Sequence, residues 1–301
     1  MIIIDDDSTD NTYKIAKKIS ENHKNIKVFT QKNKGPFKLA ETYNFALSKS
    51  MGDFICILEG DDIWFKNKLE RQNNVFLQNE KVVLCWSMVN IIGIDSNKLV
   101  ECKPKTEKRF FFNTVDDPIT EHMYMGECFI PAVSIILRSS ILKKIGGFKF
   151  IENLPLIDFP TVLELSLHGE FYFIDQPLAS WRHYVNQITK SYAVDIRKGM
   201  YNASLNHYNR NLDHSTIKKI NWQRIESNFT KKLVVVYSRM GRYNLVKKRF
   251  KLARKNYYLS IKTDGFNNII WKFRSIIGIM MSFLRLDVEW LARLFGRVSY
   301  K

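Results

Sequence analysis

Apolar positions along the first two thirds of the chain keep switching between two rhythms. Ile2, Ile3 and Ile4 form a β-branched run that predicts a buried strand. Residues 8–22 open with Ser, Thr and Asp, which favour helix starts, and then place Ile15, Ala16 and Ile19 on one helical face. The alternation continues with a strand at 26–30, a helix over 37–50, a strand at 52–58, a helix over 65–80 and a strand at 81–89. Strands separated by helices predict a mostly parallel sheet covered on both faces, an α/β fold of Rossmann-like type. After Pro177 no proline occurs, and the C-terminal third reads as helix throughout.

Charge divides the chain more sharply than hydropathy does. The 301 residues carry a net +17, yet residues 1–196 hold 24 Lys and Arg against 25 Asp and Glu, while residues 197–301 hold 23 against 5. The expected organisation is therefore a domain over 1–196 followed by a basic helical region over 197–301, the latter suited to an anionic partner. The four cysteines, Cys56, Cys85, Cys102 and Cys128, show no C-x-x-C spacing, so reduced, packed thiols are expected. The opening residues lack the basic-then-apolar pattern of a secretory leader, and no run reaches about 18 apolar residues. A cytoplasmic location is the expectation.

Two acidic clusters fall where predicted strands end, the edge at which open α/β sheets bind ligands. Asp5, Asp6 and Asp7 follow the first strand, and Glu59, Asp61 and Asp62 follow the third, with Gly60 allowing the chain to turn. Clustered hard oxygen donors of this kind suit Mg²⁺ or Mn²⁺ bridged to a diphosphate. A plain acidic turn is the simpler reading of either cluster alone.

The stretches IIIDDDSTDNT, NKGPFKLAETYNFALSKSMGDFICILEGDDIW, ILRSSILKKIGGF and LIDFPTVLELSLHGEFYFIDQPLASWRHY follow the order and spacing of glycosyltransferase family 2, whose members have the GT-A fold. The resemblance covers about residues 1–190. It implies that Asp6, with Asp5 beside it, holds the pyrimidine base of a UDP- or dTDP-sugar donor, and that Asp7 occupies a turn position where the family has Gly. It implies that Glu59-Gly60-Asp61 replaces the family's D-x-D, with Asp61 as metal ligand and Glu59 near ribose and metal. Asp62 and Trp64 match the continuation of that motif, and Trp64 is read as core packing. Asp158 stands where the family has its catalytic base, with Ile157 in place of the usual Glu. A helix-capping role for Asp158 is the alternative, and the two are compatible. Arg182 aligns with a phosphate-facing position, His183 comes one residue before the family's His, which Tyr184 replaces, and Asn33–Gly35 resembles a donor-side loop. A divalent cation, Mn²⁺ or Mg²⁺, is the implied cofactor, and the implied acceptor is a glycan, lipid-linked, of the cell surface. The absence of a GGxGTR-type loop argues against a sugar nucleotidyltransferase.

The resemblance also implies a strand and helix ahead of the D-D-x-S-T-D turn that this sequence does not contain, which would leave backbone groups of the first strand unpaired. A truncated, non-catalytic remnant that binds anionic lipid or nucleic acid through its tail is therefore the alternative to an active enzyme. Gly241, Tyr243, Phe250 and Ala253 are spaced like a tetratricopeptide-type helix pair. Ser275–Leu284 is nearly apolar and flanked by Lys272, Arg274 and Arg285, too short to span a bilayer but able to lie in the interface of an anionic one. A core helix is the competing reading. No nucleic-acid-binding module is recognisable, so nucleic acid is not the expected partner. The expected place is peripheral, on the inner face of the cell membrane.

Overall fold

The computed structural model describes residues 1–102, 119–126, 130–184 and 187–286, with the side chains of 98–102 and 188–189 outside that description. Cys102, Cys128 and the stretch 287–301 consequently lie outside the described residues or side chains. The chain divides into two compact units, one made of Met1–Met123 and Cys128–Arg182, the other of Tyr124–Glu127 and His183–Lys301.

The first unit begins with β1 (Ile2–Asp5), α1 (Thr12–Glu21), β2 (Lys27–Thr30), α2 (Leu39–Lys49) and β3 (Phe54–Cys56). It continues through β4 (Ile63–Trp64), α3 (Lys68–Gln78), β5 (Val82–Ile92), β6 (Lys98–Cys102) and α4 (Ile119–Tyr124), the last residue of which belongs to the second unit. It closes with β7 (Ile136–Arg138), α5 (Ser139–Lys144), α6 (Asp158–Leu165) and β8 (Glu170–Arg182). Every helix and strand expected up to residue 89 is present, but the sheet is mixed instead of mostly parallel. β1 and β2 pair in parallel as a two-stranded sheet of their own, while the larger sheet runs β3-β7-β5-β8-β4 with β6 also on β5. Among the described residues of that larger sheet only β5 and β8 pair in parallel. The reason lies in β4 and β7, short strands that return against their neighbours, a reversal that the helix–strand alternation does not encode.

Hydrogen bonding centres on β5, whose residues Val82–Val89 are all buried. β8 runs along one of its edges from Val82↔Glu170 to Ile92↔Arg182, with register shifts where Pro177 interrupts the ladder. Val75, Phe76, Val82, Cys85 and Ile136 form one core cluster between α3 and the sheet. Cys56 and Cys85 are free thiols, and burial raises both pKa values, Cys85 to about 12. They stay protonated and inert.

α1 departs from expectation. Of Ile15, Ala16 and Ile19 only Ala16 is buried, because α1 packs on a two-stranded sheet that is narrower than the helix face offered to it. Among the described residues, β1 has no ladder partner opposite β2, and β3 has none opposite β7.

The second unit is helical: α7 (Ile188–Ser191), α8 (Ala193–Arg210), α9 (Ser215–Lys218), α10 (Trp222–Val246), α11 (Phe250–Lys262) and α12 (Ile269–Phe283). Gly241 has a packing role. A Cβ on Gly241 would lie 2.5 Å from the Tyr257 ring, and one on Gly278 of α12 would lie 2.3 Å from the same ring. Tyr257 is thus clasped between two glycines, which lets α10, α11 and α12 approach closely.

Candidate active site

Three consecutive residues of α2, Thr42, Tyr43 and Asn44, bond to three different segments. Gln31, just past β2, donates to Asp6 Oδ1 at 2.8 Å and also to the Thr42 hydroxyl. Tyr43 donates its hydroxyl hydrogen to Glu59 Oε1 at 2.9 Å. Asn44 donates to the Phe148 carbonyl at 2.9 Å and accepts from the Phe148 N–H at 2.8 Å, fixing the segment that leads to Asp158. Successive helical residues point about 100° apart, so one turn can serve three loops. The Tyr43 and Phe148 rings meet edge to face at 5.3 Å. Gly147, at φ +82°, is required here, because a Cβ would sit 2.3 Å from Asn44 Oδ1. The sequence reading took residues 37–50 as a helix and missed these three roles. Their signal was a polar triplet, Thr-Tyr-Asn, on a helix that must also face the core.

Asp5 is buried at the end of β1; its Oδ2 accepts from the Ser8 N–H at 3.2 Å, while its Oδ1 has no partner among the described residues. Asp7 is held in the left-handed region at φ +64°. This is the turn position where Gly was expected, and Asp is one of the few other residues that adopt the conformation at modest cost.

Glu59–Asp62 is the turn between β3 and β4, closed by Asp62 N–H to Glu59 O at 3.1 Å. One carboxylate oxygen from each of Glu59, Asp61 and Asp62 lies within 4.8 Å of the others. Asp61 is exposed, while Glu59 and Asp62 are half-buried. Burial pushes Glu59 up to about 7; the Tyr43 hydrogen bond opposes this, and the charges of Asp62, Asp158 and Asp61 add to it. Burial likewise raises Asp62 to about 6, against the backbone hydrogen bond from Arg182. Crowded carboxylates that resist ionisation are the environment a divalent cation relieves.

Asp158 is the first residue of α6, and its Oδ1 accepts from the Phe159 N–H at 2.8 Å. Burial raises its pKa, with backbone hydrogen bonds pulling the other way. Its charge adds to burial in raising the pKa of both Tyr43 and Glu59. Ile157, standing for the family's Glu, is buried.

Residues 1–137 match the family model for glycosyl transferase family 2. This segment is a family 2 glycosyltransferase domain. It ends before Asp158 and Arg182. An uncharacterized glycosyltransferase of Haemophilus influenzae is 42% identical over 84 residues, 28% of this chain and 32% of that protein. The Escherichia coli UDP-Glc:alpha-D-GlcNAc-diphosphoundecaprenol beta-1,3-glucosyltransferase WfgD is 29% identical over 51% of this chain and 53% of its own length. The amylovoran biosynthesis glycosyltransferase AmsB of Erwinia amylovora is 27% identical over 60% of this chain and 59% of its own. The chain therefore spans between 32% and 59% of the length of these relatives.

The remaining positions of the family 2 resemblance divide between site and scaffold. Arg182 ends β8, and its backbone N–H donates to Asp62 Oδ1 at 2.8 Å. Its guanidinium reaches the framework: Nε donates to the Asp61 carbonyl at 2.7 Å, Nη1 to the carbonyls of Gly93 and Ile94, and Nη2 to Ser96 Oγ. Arg182 thus braces the acidic turn against the end of β5. Trp64 donates from Nε1 to the Val133 carbonyl at 3.0 Å and packs on Val89, Val133 and Ala179, the expected core role. Asn33 Oδ1 accepts from Gly35 N–H at 2.7 Å, so the Asn33–Gly35 loop closes on itself. His183 opens the second unit, where burial and then Lys190 lower its pKa.

Proposed function

We propose that the chain transfers a hexosyl residue, with inversion at the anomeric carbon, from a uridine or thymidine diphosphate sugar to a lipid-linked surface glycan. The observation that carries this reading is the carboxylate triad Glu59, Asp61 and Asp62 on one turn of the segment that matches family 2, with the charge of Asp158 also acting on Glu59. The donor set is all hard oxygen, so it fits Mn²⁺ or Mg²⁺, held by Asp61 and Glu59 with Asp62 beside them. When bound, the cation would neutralise the departing diphosphate. Asp5 and Asp6 hold the pyrimidine; the buried, unpartnered Oδ1 of Asp5 is an acceptor awaiting a donor such as the ring N–H.

Asp158 takes the proton of the acceptor hydroxyl while that oxygen bonds to the anomeric carbon and the bond to the diphosphate breaks. Its raised affinity for protons suits a base that works near neutral pH. Arg182 acts as a positioning residue for the acidic turn. The acceptor named for the E. coli relative, a diphosphoundecaprenol glycan, supports a lipid carrier and with it a place at the inner face of the membrane. Titration of the chain with UDP, dTDP and GDP, with Mn²⁺ and with EDTA, tests the reading. Metal-dependent binding of a pyrimidine diphosphate is expected; indifference to metal, or preference for GDP, would overturn it.

A further inference from the structure

α12 turns much of its apolar surface outward. Its buried residues are Ser275, Gly278, Ser282 and the lysine Lys272, and Ile279 and Met281 pack partly buried on the Leu245, Ala253 and Tyr257 cluster, whereas Ile269, Ile270, Phe273, Ile277, Met280 and Phe283 point to solvent. The small face is well satisfied: Ser275 Oγ meets Ser260 Oγ at 3.1 Å, Gly278 lies against Tyr257, and Lys272 Nζ donates to the carbonyls of Ile261, Thr263 and Gly265. The helix is therefore seated by its polar side, and rotating it to hide the other face would break these contacts.

The outer face holds Ile269, Ile270, Phe273, Ile277, Met280 and Phe283, which at 3.6 residues per turn fall within an arc of about 140°. Ile270 is 79% exposed, Phe273 64% and Phe283 68%. A continuous exposed stripe of this size marks an interaction surface. No helix among the described residues is long and apolar enough to cross a membrane, so the stripe can lie along a bilayer but not through it.

Cations frame the stripe. The Arg254 guanidinium stands over the Phe283 ring at 4.6 Å, those of Arg274 and Arg239 over Trp271 at 5.0 and 5.4 Å, and Arg285 follows the helix end. Residues 183–286 carry 21 Lys and Arg against 4 Asp and Glu. A second copy seated on the same face would bring these cations against their own images. An apolar stripe edged by guanidinium groups is complementary to acyl chains beneath anionic headgroups.

We infer that α12 is an in-plane membrane anchor that inserts its Phe273–Phe283 stripe into an anionic bilayer surface while its serine and glycine face stays docked on α10 and α11. This does not depend on which reaction the first unit catalyses. The test is sedimentation of the full chain with vesicles of phosphatidylcholine alone, and of phosphatidylcholine with an equal part of phosphatidylglycerol, at physiological and at high salt. Binding to the anionic vesicles should be at least about tenfold the stronger and should weaken with salt without vanishing.

Phe273→Glu with Met280→Glu should remove the salt-resistant part while the far-ultraviolet circular dichroism stays that of the parent. Arg254→Gln, Arg274→Gln and Arg285→Gln together should remove the preference for anionic vesicles and leave a weak partition onto both. Failure to bind anionic vesicles, equal binding to both compositions, or binding untouched by the Phe273 and Met280 changes would each overturn the inference. So would a dimer in analytical ultracentrifugation that those two changes dissociate, since the stripe would then be covered by a second copy.

Discussion

Tyr43 donates to Glu59 across 2.9 Å, and this one hydrogen bond is the largest influence acting against the burial that drives Glu59 toward its neutral form. A helix residue thereby helps decide whether a carboxylate at the end of a different strand is available as a ligand. Tyr43→Phe should shift Glu59 further up and weaken Mn²⁺ binding by about tenfold at pH 7, the scale of one hydrogen bond to a charged group. The loss should shrink at pH 9, where Glu59 ionises regardless. Calorimetric titration with Mn²⁺ at the two pH values checks this; a loss equal at both would mean that Tyr43 acts on geometry alone.

Asp61 is the exposed member of the triad and can be removed without disturbing packing. Asp61→Ala should abolish the Mn²⁺-dependent part of UDP or dTDP binding while leaving thermal stability within about 0.5 kcal/mol of the parent, as for other surface substitutions. Retention of metal-dependent nucleotide binding by the variant would remove Asp61 from the site.

Asp158→Asn keeps the size of the side chain and its hydrogen bond from Phe159 but removes the base. Turnover should fall by about 10²–10⁴-fold with nucleotide affinity nearly unchanged. A matching drop in affinity, measured in the same preparation, would make Asp158 an organiser of the nucleotide site.

Glu59 and Asp62 hold their protons more tightly in the fold than the ordinary values of 4.5 and 3.8, at about 7 and about 6. Their contribution to stability without metal is therefore present at low pH and lost as pH rises through 6 and 7. Glu59→Gln, which cannot ionise yet still accepts from Tyr43, should match the parent Tm at pH 5 and exceed it by a few degrees at pH 8. A calorimetric scan showing the same difference at both pH values would contradict the assigned burial.

Gly147 lies at φ +82° with no room for a side chain beside Asn44. Gly147→Ala should cost about 1–3 kcal/mol, from strain and displacement of Asn44, and should lower turnover more than metal affinity because Asn44 anchors the Asp158 side of the site. Equal losses in both would show that the change spreads through α2 as a whole.

Much of this protein was written locally. The Ile2–Ile4 run, the periodicity of the early helices and the Gly60 turn between two apolar stretches place Asp5, Asp6 and the Glu59–Asp62 triad at strand ends without reference to distant residues, because strand and helix periods and turn chemistry are short-range properties. The concentration of positive charge after residue 196 is likewise a matter of counting. What tertiary structure alone decided is how those pieces face one another. The reversal of β4 and β7 made the sheet mixed, and the closure across 120 residues from Asp62 to Arg182 tied the end of β8 to the acidic turn. The same holds for Thr42, Tyr43 and Asn44, whose partners lie as far as 104 residues away. It holds also for α12, whose apolar run left an interfacial helix and a core helix as competing readings. Tyr257 and Lys272 seat its Ser275 and Gly278 side and leave the stripe outside, since a helix turns toward whichever face its neighbours can satisfy.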